Sequence, residues 1–196
     1  MKIFLVLFLA LFTIPFFSFS QPVKGNTELS FQGNYSSIKT TSDPSLGFYN
    51  PGENISQGML FIRAGYFLTN QFSIDPELTW SFSSSASGTR SVALSLNGTF
   101  HMVVNTKFLL FGTAGAGLTD AIPNTWMFRD KIKLDILMLN FGLGLKYFVS
   151  EDIALRTEYR NQAYSYDEHF SYFGRKTKTT FKTSVNNFLL GFSIFL

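Results

Sequence analysis

From Ser184 to Leu196 the chain alternates: Phe188, Leu190, Phe192, Ile194 and Leu196 fall on one parity, and Asn187, Gly191 and Ser193 on the other. Successive side chains of a β-strand point to opposite faces, so a two-residue period makes one apolar and one polar face. A strand with lipid on one side and a polar lumen on the other carries this signature. After residue 21 no run approaches the roughly 18 consecutive apolar residues that a spanning helix needs, so strands must make any membrane passage.

The 196 residues are 45% apolar, 17% aromatic and only 15% charged, with no cysteine. That balance is too apolar for disorder, and the length suits one domain. Met1-Lys2, the apolar run 3–17 and the small-residue site Ser18-Phe19-Ser20 before Gln21 have the parts of a secretory signal peptide, with cleavage expected after Ser20. A retained membrane anchor is the alternative, but Pro15 interrupts the run. Residues 1–20 are therefore read as signal peptide and 21–196 as one domain. Without Lys2, 15 of the 16 basic residues stand against 13 acidic ones, a charge of +2 that argues for no nucleic-acid partner. Zero cysteines exclude disulfides, cysteine-ligated metals and a lipid-modified cysteine.

Period-two segments bounded by turn signals predict strands near 27–37, 57–69, 72–84, 90–104, 107–120, 132–149, 152–164 and 183–196. Most reach the about 9 to 11 residues that cross a bilayer when tilted. Short connections at Thr69-Asn70-Gln71, Asn105-Thr106 and Ser150-Glu151-Asp152 alternate with longer ones at 38–56, 85–89, 121–131 and 165–182. The expectation is an all-β, eight-stranded antiparallel up-and-down transmembrane barrel, with short periplasmic turns, longer extracellular loops and both termini periplasmic.

Parity assigns the faces. Ile74, Leu78, Trp80 and Phe82 point to lipid in the third strand, while Asp75, Glu77, Thr79 and Ser81 point inward; Pro76 lacks a ladder donor, so a bulge is expected there. Val92, Leu94, Leu96, Phe100 and Met102 alternate with Ala93, Ser95, Asn97, Thr99 and His101, and Leu139, Phe141, Leu143, Leu145 and Tyr147 with Asn140, Gly142, Gly144 and Lys146. The fifth strand is ambiguous, since Phe108 to Phe111 is apolar on both parities; Gly112, Gly115 and Gly117 suggest close inward packing. Tyr66, Phe67, Phe72, Tyr147 and Phe148 beside the short turns, and Tyr35, Trp80, Phe82 and Tyr164 toward the long loops, are read as two interfacial girdles. A soluble sandwich is the competing architecture, and the signal peptide and the girdles argue against it. Inside, the same parity gathers Glu28, Arg63, Asp75, Glu77, Lys146, Arg156, Glu158 and Arg160. In a barrel this narrow such charges should pair as a polar plug; a narrow ion path is the other reading.

Residues 65–78, Gly65-Tyr66-Phe67-Leu68-Thr69-Asn70-Gln71-Phe72 and onward, and 140–156, with Lys146-Tyr147-Phe148 before a short turn, resemble paired hairpins of the OmpA/OmpX-like outer-membrane β-barrel superfamily, in the form common in Bacteroidetes. The resemblance spans the mature chain. It implies the barrel fold and a bacterial outer-membrane location, and a final strand read by the barrel-assembly machinery; here Leu196 stands where an aromatic is typical. It does not imply cell-wall tethering, since no peptidoglycan-binding segment is expected after the eighth strand. Function stays open within such a family.

Candidate chemistry is sparse. The two histidines are His101, expected in the lumen, and His169, which lies near Glu168 and Ser171 in sequence without forming a recognisable triad or ligand spacing. A lipid-modifying enzyme is therefore the least favoured function, and no metal or cofactor is expected. The external loops are more distinctive: Trp126 and Phe128 in one, and Tyr166, Phe170, Tyr172, Arg175, Lys176 and Lys178 in the last. Aromatic and basic side chains together suit lipopolysaccharide, an extracellular protein or a glycan; the other reading is that they extend the hairpin above the membrane, with the bases meeting anionic headgroups. The expected role is structural or surface-interacting, with a narrow pore or transport accessory as the alternative.

Overall fold

The computed structural model describes residues 22–39, 54–83, 90–120, 134–172 and 175–196. Eight strands close into one antiparallel barrel in sequence order: β1 (Thr27–Lys39), β2 (Asn54–Phe67), β3 (Phe72–Ser83), β4 (Arg90–Val103), β5 (Phe108–Thr119), β6 (Ile136–Phe148), β7 (Ile153–Tyr172) and β8 (Arg175–Phe195). Residues 1–20, and with them the expected signal peptide, lie outside the described part.

The three tight turns share one device. Thr69 Oγ1 accepts from the N–H of Phe72 at 3.0 Å, Asn105 Oδ1 from that of Phe108 at 2.9 Å, and Ser150 Oγ from that of Ile153 at 3.1 Å. A short polar side chain opening a turn replaces the missing ladder partner of the residue that begins the next strand.

Apolar residues of the outward parity are exposed along β2, β3, β4 and β6, as the lipid face of a transmembrane barrel requires. The fifth strand is resolved: Leu109, Phe111 and Thr113 are buried inside, and Leu110 and Leu118 face out. Gly112 lies on the outward parity, pairing with Phe100 and Leu143, which corrects its expected inward packing; Gly115 and Gly117 keep the inward parity.

Three further expectations change. Pro76 causes no bulge. The β2–β3 ladder breaks between Arg63↔Glu77 and Tyr66↔Ile74, yet the register is the same on both sides, and β3 stays paired with β4 through Pro76↔Leu96. The missing N–H therefore falls on the β2 side, interrupting a ladder without inserting a residue. Phe67, Phe148 and Tyr164 are not girdle residues: all three are buried, because each shares parity with an inward charge on its strand. Finally, β7 and β8 are much longer than predicted, pairing from Ile153↔Ile194 to Tyr172↔Arg175. The Thr- and Tyr-rich composition of 164–183 favours strand, and the hairpin extends as the second reading of that segment expects, beyond the strand bounds predicted from alternation.

The barrel closes where β1 meets β8, from Glu28↔Phe195 to Gly33↔Leu190. At Gly191 a Cβ would run into the Phe31 carbonyl and lie 2.6 Å from Gln32 Cα, both backbone atoms that cannot swing aside. Gly191→Val is expected to lower the urea midpoint of the folded, heat-modifiable species in detergent by an amount equivalent to at least about 1–3 kcal/mol, the usual range for overpacking. An unchanged midpoint would mean that the seam adapts.

Candidate functional site: a charge-locked lumen and a projecting ribbon

The lumen is built in layers. Strand β7 projects Arg156, Glu158 and Arg160 inward at every second position; β1 contributes Glu28, β2 Arg63, β3 Asp75 and Glu77, and β6 Lys146. All eight are buried, and the four acids balance the four bases. Arg63 donates to Glu77 Oε2 through Nε at 2.9 Å and Nη2 at 2.6 Å. Arg160 bridges Glu77 at 2.8 Å and Glu158 at 2.6 Å. Arg63 returns to Glu158 at 3.7 Å, which completes a ring of two bases and two acids. From Glu158 the chain runs through Arg156, at 3.0 Å, to Glu28, at 3.2 Å, and on to Lys146, at 2.5 Å. Asp75 lies 3.8 Å from Arg63 and accepts a short hydrogen bond from Thr99. The Glu28–Lys146 and Glu77–Arg160 pairs join walls that are not neighbours in the sheet, so the network braces the barrel across its width.

Apolar side chains cover this layer at both ends. Toward the short turns, Phe67, Leu109, Phe111, Phe148, Ala154 and Phe195 form one buried cluster. The Arg156 guanidinium lies 4.2 Å from the Phe111 ring centre, and Lys146 Nζ lies 5.3 and 5.4 Å from those of Phe111 and Phe195. Toward the long connections, Met59, Phe61 and Leu189 pack together, with Arg160 4.8 Å from the Phe61 ring centre; Ala93, Ile136, Met138 and Tyr164 form a further cluster.

A belt of amides accompanies these clusters. Asn34 donates to Asn187, Asn187 to Gln162, Gln162 to Asn140 and Asn140 to Asn97, at 2.8, 2.9, 3.3 and 3.2 Å. Asn97 and Asn140 meet over β5 because Gly115 stands between them in register, where a Cβ would collide with the Asn97 carboxamide. The sequence reading missed both the apolar caps and this belt. Their signals are apolar residues on the inward parity, as at Leu109, Phe111, Leu189 and Phe195, and a run of inward amides on β4, β6, β7 and β8.

His101 is sealed in the lumen, with Nε2 3.0 Å from Ser73 Oγ and its ring 4.8 Å from that of Phe67. Among the described residues no cluster of His, Cys, Asp and Glu has the arrangement of a metal site.

The second feature lies beyond the barrel wall. The last β6–β7 pair is Leu137↔Ser165, yet β7 and β8 remain paired for seven residues more on β7. Tyr166, Phe170, Tyr172, Arg175, Lys176 and Lys178 belong to this ribbon, where backbone register places them; Trp126 and Phe128 lie outside the described residues. By register Lys176, Lys178 and Lys182 continue the outward parity of Phe188 and Leu190. Tyr166, Phe170, Tyr172 and Phe181 continue the lumen parity, with Arg175 opposite Tyr172. His169 is paired with Lys178, on the outward parity.

The sequence matches the family described as Outer membrane protein beta-barrel domain over residues 4–194. Its fold is similar to that of outer membrane protein H (OprH) from P. aeruginosa, at 20% identity, covering 88% of this chain and 99% of that chain with a TM-score of 0.57. It is also similar to Neisserial surface protein A (NspA), at 14% identity, 87% and 97% coverage and a TM-score of 0.56. Outer membrane protein AlkL matches at 17% identity, 94% and 95% coverage and a TM-score of 0.51. At these identities the likeness is one of fold. No curated protein matches the sequence.

Proposed function

We propose that this chain, which belongs to the outer membrane protein beta-barrel domain family, is a non-conducting barrel whose work is to hold an amphipathic β-ribbon at the cell surface. The observation that carries this reading is the β7–β8 ladder continuing from Ser165↔Lys182 to Tyr172↔Arg175 beyond its last wall partner. The basic row of Lys176, Lys178 and Lys182 meets phosphates of neighbouring lipopolysaccharide. The aromatic row of Tyr166, Phe170 and Tyr172, with Arg175, meets an extracellular protein or glycan. In this reading the short turns and both termini are periplasmic, residues 1–20 direct export, β8 is read by the barrel-assembly machinery, and no catalysis takes part.

Each lysine near an anionic membrane surface contributes about 1 kcal/mol. The triple variant Lys176→Glu, Lys178→Glu and Lys182→Glu should therefore bind lipopolysaccharide-containing vesicles roughly a hundredfold more weakly than the native protein. Native binding should fall steeply with salt. Equal binding by variant and native protein would remove the basic row from the account.

A further inference from the structure

The outward face of the barrel is not evenly filled. In the half beside the short turns, one register row runs from Phe100 to Gly112, Leu143 and Tyr159, and the next pairs Leu145 with Thr157. Gly112 leaves a gap in the first row and Thr157 a notch in the second. They help line a groove of about 570 Å³ with an almost wholly apolar surface. That volume lies within the roughly 300–1,000 Å³ typical of small-molecule sites.

Packing of the barrel does not require the gap. The other outward glycines of β2 and β4 are roofed: the Phe82 ring occupies the place of a Gly58 side chain, and Phe72 comes within 3.1 Å of a Cβ at Gly98. At Gly112 a Cβ would meet only Leu143 Cδ2, at 3.4 Å, which is close to ordinary contact. The groove is continuous with the barrel's lipid-facing surface, where Leu143 is 72% exposed and Tyr159 55%. Hydrocarbon surrounds it, so its occupant is hydrocarbon, and even a shallow, open groove offers a chain more dispersion contacts than a convex wall does.

We infer that the groove over Gly112 and Thr157 seats one acyl chain of a membrane glycerophospholipid, and so retains a bound lipid. The test is native mass spectrometry on protein transferred from phosphatidylethanolamine vesicles into detergent, with folding of each variant checked by heat-modifiable migration. The native protein should carry a single phosphatidylethanolamine. Gly112→Leu and Thr157→Leu, which fill the groove from opposite sides, should each lower the retained fraction by about tenfold. Leu96→Ala, on the same outward face but outside the groove, should retain the lipid. If Gly112→Leu does not fold, Thr157→Leu decides. Equal retention by all variants, a lipid-free native protein, or a second protein copy in place of lipid would overturn the inference.

Discussion

Arg160→Leu is expected to destabilise the barrel by about 3–5 kcal/mol, the usual result of removing one partner from a buried ion pair. Arg160 is fully buried and donates to two carboxylates, those of Glu77 and Glu158. Its loss leaves four acids against three bases in a lumen whose ends are apolar. Glu77 keeps Arg63 and Glu158 keeps Arg156, so each acid retains one base, but the layer carries a net negative charge away from water. The double variant Glu158→Leu, Arg160→Leu restores the balance and should recover part of the loss, because an apolar replacement of a whole pair is often neutral. Urea midpoints of the heat-modifiable species in detergent read both effects. An Arg160→Leu midpoint equal to the native one would mean that the network contributes nothing to stability.

Strand facing was legible because a two-residue period is written directly into β3, β4, β6 and β8. Turn positions were legible because Thr69, Asn105 and Ser150 open short polar connections. Alternation also assigns each of the eight lumen charges to a face, but not to a partner. Whether Glu28 meets Lys146 depends on strand tilt and on side-chain reach across the lumen, neither of which is a local property of sequence. Phe67, Phe148 and Tyr164 were misplaced because position near a strand end was weighed above parity. The caps were missed for a related reason: Leu109, Phe111 and Phe195 break the alternation, and a broken alternation reads as ambiguity rather than as a buried plug. The predicted bounds of β7 and β8 stop short because Arg175, Lys176, Lys178 and Lys182 interrupt the apolar alternation, although a hairpin extended above the membrane is among the readings that this segment allows. Gly112 was grouped with Gly115 and Gly117 although its parity differs.

The packing of the lumen bears directly on the electrical behaviour of the protein. An eight-stranded barrel has an interior that side chains can fill. Here an ion would have to pass the apolar cluster of Phe67, Phe111, Phe148 and Phe195, part the pairs that Glu77 and Glu158 make with Arg160, and then cross a second apolar layer at Met59, Phe61 and Leu189. Each apolar layer strips an ion of water, and the amides beside the second layer are already bonded to one another. The most direct test is a single-channel recording of residues 21–196 refolded and inserted into a planar bilayer. A trace at baseline, with no steady openings, is expected from protein whose insertion is verified by heat-modifiable migration. Reproducible steady openings from native protein would contradict a sealed lumen and would make the charge network the lining of a pore.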